Sequence, residues 1–143
     1  MSVVAAVLLI FPGAVLAQQT FSTADLEGDW VFFVFGAYDN YVETADGRLS
    51  FNGAGVMTTG SGHFQDYETS YLEGALEVAP GGVVTGTLTC STVTWIIQRA
   101  WMSQRKTEIT GMAWGYKSPV MMRLVRVSGE PAEAPGQEPA LKD

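Results

Sequence analysis

The amino-acid sequence predicts an all-β protein, specifically an eight-stranded antiparallel up-and-down meander barrel. Short segments rich in Val, Thr, Ile and aromatic residues alternate with Gly, Asn, Pro and Ser, which is typical of strands joined by tight turns. No stretch combines helical periodicity with suitable caps. Strands joined in this way pair antiparallel, and eight of them can close around an interior that side chains fill or that holds one small ligand.

Both ends of the chain are expected to lie outside the barrel. Residues 1–17 predict a secretory signal peptide, because an apolar run too short to span a bilayer precedes a small-residue cleavage site after Ala17. Residues 128–143 are rich in Pro and acidic residues, a composition that predicts a disordered tail. The barrel domain then spans residues 18–127. We expect a secreted or periplasmic protein with no stable membrane span after cleavage.

Eight segments satisfy the strand pattern, and each is bounded by turn-forming residues. Glycines within them weaken flat strands but suit the sharp bends of a small barrel. A short turn of helix is expected before the first segment, and a long loop after Tyr38. In chain order, the predicted strands are residues 29–38, 47–52, 55–61, 70–78, 83–91, 93–102, 106–117 and 120–127.

The first predicted strand is apolar on both faces, since every residue from Trp30 to Phe35 is apolar. We expect Trp30 to point into the barrel, which leaves Val31, Phe33 and Phe35 on the outside. An exposed apolar surface of this kind usually marks an interaction site. The sequence therefore predicts that the segment before the strand, the loop after it or a second molecule covers this face.

Charge is distributed unevenly along the chain. Residues 18–80 carry a formal charge of −9 and residues 81–127 a charge of +5, within a total of −7. An acidic protein without a basic stripe is a poor candidate for nucleic-acid binding. Cys90 is the only cysteine, so no intramolecular disulfide can form, and its place on an apolar face predicts a buried thiol.

Gly28 and Trp30 form a Gly-x-Trp motif at the head of the first strand, and Arg123 and Arg126 lie in the last. This pattern resembles the signature of the lipocalin and avidin group of barrels. The resemblance implies that Trp30 meets a basic side chain from the last strand and closes one end of the barrel, with Arg123 and Arg126 as the candidates. The rhythm of strands and glycine turns also resembles that of uncharacterised exported bacterial β-domains.

The candidate ligand site is a lumen lined by aromatic and methionine side chains, a surface suited to one small apolar ligand. No catalytic site is expected, because no activated nucleophile accompanies the single histidine, His63. No cofactor or metal is predicted, although weak metal sites are conceivable at His63, Asp66 and Glu68 or around Asp39 to Asp46. The predicted ligand-binding residues are Trp30, Met57, Trp95, Trp114 and Met122.

These observations predict an exported, non-catalytic binding module. Its partner is a small apolar ligand in the lumen, or a protein or second copy on the outer face formed by Val31, Phe33 and Phe35. One alternative is a secreted inhibitor or cell-surface interaction protein that uses the loops at 39–46 and 63–67. A second alternative is a small outer-membrane barrel, which needs outward apolar residues on all strands.

Overall fold

The computed structural model describes residues 19–38, 41–64, 67–69, 72–90, 93–115 and 118–128. The predicted signal peptide and residues 129–143 of the predicted tail therefore lie outside the described residues. A short 3₁₀ helix, Thr23–Leu26, precedes nine strands. The strands are β1 Gly28–Tyr38, β2 Tyr41–Phe51, β3 Met57–Phe64, β4 Tyr67–Thr69, β5 Leu72–Val78, β6 Val83–Cys90, β7 Val93–Met102, β8 Glu108–Trp114 and β9 Pro119–Ser128.

The eight long strands form a nearly closed antiparallel barrel in up-and-down order, which confirms the predicted fold class. The sheet order is β4-β3-β2-β1-β9-β8-β7-β6-β5. The first long strand therefore pairs with the last, with Trp30 opposite Arg126 and Phe35 opposite Met121. Strand β4 has three residues and pairs only with the end of β3. Pairing of β1 with β9 brings the Gly-x-Trp motif next to the basic residues of the last strand.

Backbone hydrogen bonding is incomplete at the seam between β3 and β5. Among the described residues, the seam has a single β-bridge, between Val56 just before β3 and Ala75 of β5. Beside it, the Leu76 N–H donates a hydrogen bond to the Gly55 carbonyl oxygen at 2.9 Å. The seam is also tight, because a Cβ added to Gly60 would lie 2.6 Å from the Leu72 Cβ. Close approach of the two strands closes the barrel where backbone pairing does not.

Alternating side chains of every long strand fill the interior. In β1, Trp30, Phe32 and Val34 are buried while Phe33 and Phe35 are exposed, which confirms the predicted inward face of Trp30. This alternation follows from the pleat of a strand, in which successive side chains point to opposite faces. The single thiol of Cys90 is buried, as predicted.

The long loop predicted after Tyr38 is wrong, because β2 begins at Tyr41 and continues to Phe51. Ala45 and Leu49 are buried on this strand while Asp46 and Arg48 are exposed. The acidic residues of this segment concealed the alternation. Strand pairing with β1 along its whole length offsets their weak strand preference.

Candidate functional site

One end of the barrel is closed by the helix Thr23–Leu26. The Trp30 indole N–H donates a 2.7 Å hydrogen bond to the carbonyl oxygen of Leu26, and both residues are completely buried. A buried indole N–H needs such a partner, since leaving it unpaired would cost about 1–3 kcal/mol. Trp30 therefore holds the helix against the end of the barrel. We call the helix and Trp30 together the plug, which seals this end of the interior.

Arg126 from β9 holds the plug from the other side. Its guanidinium lies 4.4 Å from the centre of the Trp30 ring and donates hydrogen bonds to the carbonyl oxygens of Asp25 and Glu27. Its Nε donates to the Lys106 carbonyl oxygen at 3.1 Å. Burial lowers the pKa of Arg126 from its ordinary value, and the nearby Asp25 charge opposes this shift. One side chain thus joins the last strand, the plug and the β7–β8 turn.

A buried ion pair adds a second attachment for the plug. The Lys106 Nζ lies 2.8 Å from an Asp25 Oδ1, and the two side chains are 5% and 0% exposed. The Ser22 N–H donates to the other Asp25 oxygen at 2.8 Å. Lys106 lies in the β7–β8 turn with a positive φ of 56°, and its ammonium lies 5.9 Å from the Phe21 ring centre. The pair ties the plug to the turn.

The two arginines predicted to close the barrel have different positions. Arg126 contacts Trp30, whereas the closing position predicted for Arg123 is wrong. Arg123 lies on the outer surface, where its Nε is 2.8 Å from a Glu108 carboxylate oxygen and the side chains are 58% and 38% exposed. Strand alternation separates the two, because they lie three residues apart on β9 and so point to opposite faces. Arg126 lies on the face that also carries the buried Met122 and Leu124, directly opposite Trp30.

Four of the five predicted ligand-binding residues face the interior: Trp30, Met57, Trp95 and Met122 are all buried. The Phe64 ring stacks on Trp95 with centroids 5.5 Å apart. The Phe32 ring lies 6.5 Å from Trp95 in a tilted arrangement. These aromatic contacts occupy the central part of the interior with the side chains of the protein itself.

The predicted inward orientation of Trp114 is wrong. Trp114 lies on the outer surface and is 48% exposed, while its neighbour Ala113 is buried. In β8 the small residues face the interior, since a Cβ added to Gly111 would lie 2.3 Å from the Cα of Ala100. The backbones of β7 and β8 approach too closely there for a large inward side chain. Met112 and Trp114 therefore form part of the outer surface, whereas Ile109 near the start of β8 is buried.

Trp101 also lies outside, at 50% exposure, because β7 contains a β-bulge. Ile97 and Arg99 pair with the consecutive residues Ala113 and Met112 of β8, so Gln98 is the extra residue. A bulge shifts the alternation by one position, and both Gln98 and Arg99 are exposed. Strict alternation from Trp95 therefore predicts the wrong face for Trp101.

These reversals assemble a largely apolar surface on the outside of the barrel, which we call the apolar wall. Arg123 and Thr110 lie within it, between Phe33 and Trp101. The wall extends the face predicted from Val31, Phe33 and Phe35, of which Val31 is half-buried. Cross-strand pairing places Phe35 beside Met121, and Met121 beside Met112. The wall consists of Phe33 and Phe35 on β1, Met121 on β9, Met112 and Trp114 on β8, and Ile96 and Trp101 on β7, all 46–62% exposed.

None of the described segments predicted to cover the wall does so. The segment before β1 forms the plug at the barrel end, and Phe33 and Phe35 remain 49% and 57% exposed. The opposite side of the barrel is a polar wall. Its exposed side chains are Thr59 and Ser61 on β3, Glu73 and Glu77 on β5, and Thr85 and Thr87 on β6. Among the described residues, the large aromatic and methionine side chains of the outer surface are therefore concentrated on one side of the barrel.

A cleft of about 550 Å³ borders the seam and the outer face of β2. Its polar groups bond one another: the Ser50 hydroxyl donates to Asp29 at 2.6 Å, and the Thr59 hydroxyl donates to Ser50 at 3.0 Å. Hydrogen bonds from Ser128 and Ser50 lower the pKa of Asp29. Arg48 also lines the cleft. This network holds the ends of β1, β2 and β9 together.

The histidine and acidic segments form no metal site among the described residues, where no group of three metal-ligating side chains occurs. His63 is exposed on β3 and pairs in register with Glu68 of β4. Asp66, Asp39 and Asn40 lie outside the described residues. The 39–46 segment proposed as a binding loop is largely strand β2, and the 63–67 segment joins β3 to β4.

Comparison with known proteins gives no match: no family model, no curated protein and no solved structure is significantly similar to the chain. In the part of the chain that the structure describes, no helix has the length and apolar character of a membrane span.

Proposed function

We propose that this protein is an exported, non-catalytic binding module that holds a protein partner on the apolar wall. The observation that carries the proposal is the size and one-sidedness of this wall. Its seven side chains expose roughly 700 Å², taking about 200 Å² for a large apolar side chain. The largest apolar patch on a typical monomer is about 300–600 Å² and is often functional.

The shape of the outer surface favours a protein partner over a lipid bilayer around the barrel. A transmembrane barrel needs outward apolar side chains on every strand, whereas Glu73 and Glu77 of β5 and Thr85 and Thr87 of β6 are exposed. A partner that covers one side leaves this polar wall in water. The proposal therefore favours one-sided contact over insertion.

The interior gives less support to a ligand. Trp95 packs against both Phe32 and Phe64 in the interior, and the plug seals one end. A ligand there would have to displace close-packed rings. Binding of a small apolar ligand near Met57 and Met122 stays a prediction from the sequence.

The titrating groups support the non-catalytic part of the proposal. The described groups with shifted pKa values are Asp29, Glu108 and Arg126. The pKa values of Asp29 and Glu108 are lowered mainly by hydrogen bonds from nearby side chains of the sheet. Arg126 belongs to the closed end of the barrel. Strand pairing and closure of the barrel explain these shifts, so none of them by itself indicates a catalytic group.

Export rests on the N-terminal sequence. The apolar run and the small residues up to Ala17 are typical of a signal peptide. The similarity of the Trp30 and Arg126 arrangement to the closed end of lipocalin and avidin barrels is a further support for a binding role. N-terminal sequencing of protein recovered outside the cytoplasm tests this step, and we expect the chain to start at Gln18.

Site-specific photo-crosslinking in the cells that produce the protein tests the binding role. A benzophenone amino acid replaces Phe35 on the apolar wall, and the matched control replaces Thr87 on the polar wall. We expect a discrete covalent adduct from position 35, identified by mass spectrometry, and none from position 87. The proposal is wrong if position 35 gives no adduct, or if both positions give the same products.

A further inference from the structure

We infer that the partner on the apolar wall is a second copy of the same chain, packed against it around a two-fold axis. This inference rests on the proposed function and names its partner. It depends on the area of the wall, on the side chains along its centre and on the distribution of charge around it.

The area of the wall matches what a dimer needs. A standard protein interface buries about 800 Å² on each partner, and the wall exposes roughly 700 Å² of apolar side chain. Apolar residues enriched in interface centres, namely aromatic residues and Met, make up most of it. A polar rim would bring the buried area to the standard size.

The centre of the wall suits contact with its own copy. Phe35, Met121 and Met112 lie side by side on β1, β9 and β8, and no charged side chain separates them. Two sheets that pack face to face interdigitate such side chains with their strands about 30° apart. Methionine side chains adapt to irregular gaps, so Met121 near the axis can contact Met121 of the second copy.

The charges on the wall also permit self-association. Arg123 and Glu108 neutralise each other within the same copy at 2.8 Å. At one side of the wall, the cross-strand neighbour of Phe33 is Asp46 on β2. At the other side, the cross-strand neighbour of Met112 is Arg99 on β7. A two-fold axis that runs roughly along the strands exchanges the β2 side of the wall with the β7 side. Asp46 of each copy then lies on the same side as Arg99 of the other, with Arg48 next to Asp46 on the outer face of β2.

Sedimentation equilibrium of the purified exported protein, from about 0.1 to 100 μM, is the direct test. We expect a dimer with a dissociation constant in the micromolar range or tighter, as is usual for interfaces of this area. A lysine at the centre of the wall, Met121→Lys, should weaken the dimer at least 100-fold, since it buries an unpaired charge. The matched control Thr87→Lys on the polar wall should leave the dissociation constant within about threefold of the wild type.

Circular dichroism and urea denaturation check that the variants fold. Met121 is exposed in a single copy, so its substitution should leave the fold of the monomer intact. Phe35→Ser is a second variant that adds no charge, and it should weaken the dimer at least 10-fold. Both variants should keep the urea midpoint that the wild type shows at concentrations where it is monomeric. A wild type that stays monomeric at 100 μM would overturn the inference. So would a dimer that Met121→Lys and Phe35→Ser leave intact.

Charge exchange tests the orientation. Asp46→Arg and Arg99→Asp should each weaken the dimer a few-fold at low ionic strength, and the double variant should recover wild-type affinity, because rim charges act mainly through orientation and encounter. An additive loss in the double variant would contradict the two-fold arrangement.

The crosslinking experiment at Phe35 separates the two proposals. An adduct with the mass of two chains supports the dimer. An adduct with a different protein, together with a monomeric wild type, overturns the dimer but leaves the binding role in place. No adduct and a monomeric protein would overturn both.

Discussion

The buried ion pair between Lys106 and Asp25 gives the sharpest prediction about stability. The substitution Lys106→Met keeps the length of the side chain and removes its charge. The Asp25 carboxylate is completely buried, so it would lose its nearest cation at 2.8 Å. Breaking a buried ion pair by removing one partner typically costs about 3–5 kcal/mol.

The structure places the expected cost at the lower end of this range. The Ser22 N–H still donates to Asp25, and the Arg126 charge is close enough to interact with the carboxylate. We therefore expect Lys106→Met to lower the free energy of unfolding by about 3 kcal/mol. Against a total of about 5–15 kcal/mol for a domain of this kind, the variant should still fold.

The assay is equilibrium unfolding in urea, followed by the fluorescence of the four tryptophans, of which Trp30 belongs to the plug. A loss of about 3 kcal/mol lowers the midpoint by between about 1 and 3 M. The second single variant, Asp25→Asn, keeps an acceptor for the Ser22 N–H but removes the carboxylate charge beside the Lys106 ammonium. The double variant Asp25→Asn/Lys106→Met should recover about 2 kcal/mol relative to the sum of the single losses.

Two results would refute this reasoning. A change below about 1 kcal/mol in Lys106→Met would show that the pair behaves like an exposed salt bridge. Strictly additive losses in the double variant would show that Lys106 and Asp25 contribute independently. Either result would remove the ion pair as an attachment of the plug.

Three further predictions follow from the closure, the interior and the surface acids. Arg126→Glu should lower the free energy of unfolding in urea by about 2–4 kcal/mol, because three carbonyl oxygens and an aromatic ring lose their cation. The control Arg123→Glu should cost less than about 1 kcal/mol. Equal losses would contradict the assignment of the closing role to Arg126. Phe64→Ala should cost about 3–5 kcal/mol by opening a cavity beside the tryptophan on which it stacks, and a cost under about 1 kcal/mol would mean a loosely filled interior. Glu108 has a pKa below its ordinary 4.5 because Arg123 and a neighbouring hydroxyl donate to it. Its contribution to stability is therefore present above pH 4.5 and lost as the pH falls through the lower folded pKa. Glu108→Gln should flatten the loss of stability as the pH falls below 4.5, and an unchanged slope would refute its role.

The relation between sequence and structure differs between the strands. The order of the long strands and the pairing of the first with the last were predictable, because turn residues mark the connections and a meander has few alternatives. The inward face of Trp30 was predictable from the Gly-x-Trp motif. In β2, acidic residues at exposed positions concealed a strand of eleven residues, Tyr41–Phe51. Pairing with β1 supplied the stabilisation that local preference lacked.

The faces of β7 and β8 were not predictable from alternation. The bulge at Gln98 reverses the faces after it, and nothing in the local sequence marks its position. Close approach of Gly111 to Ala100 leaves no room for large inward side chains, and this distance is a property of the assembled sheet. Both effects turn Trp101 and Trp114 outward.

The sequence by itself determined the fold class, the strand order and the presence of apolar residues on the outside of β1, because these depend on local turn chemistry and on the two-residue period of strands. Only the tertiary structure decided that Arg126 contacts the helix before β1 as well as Trp30, and that side chains from four strands merge into one apolar wall. Those outcomes depend on register shifts and on distances between backbones, which are set when strands remote in the chain pair. The sequence predicted an outer apolar face on β1 alone, at Phe33 and Phe35. The structure extends this face across β9, β8 and β7 into a surface large enough to bind a second molecule.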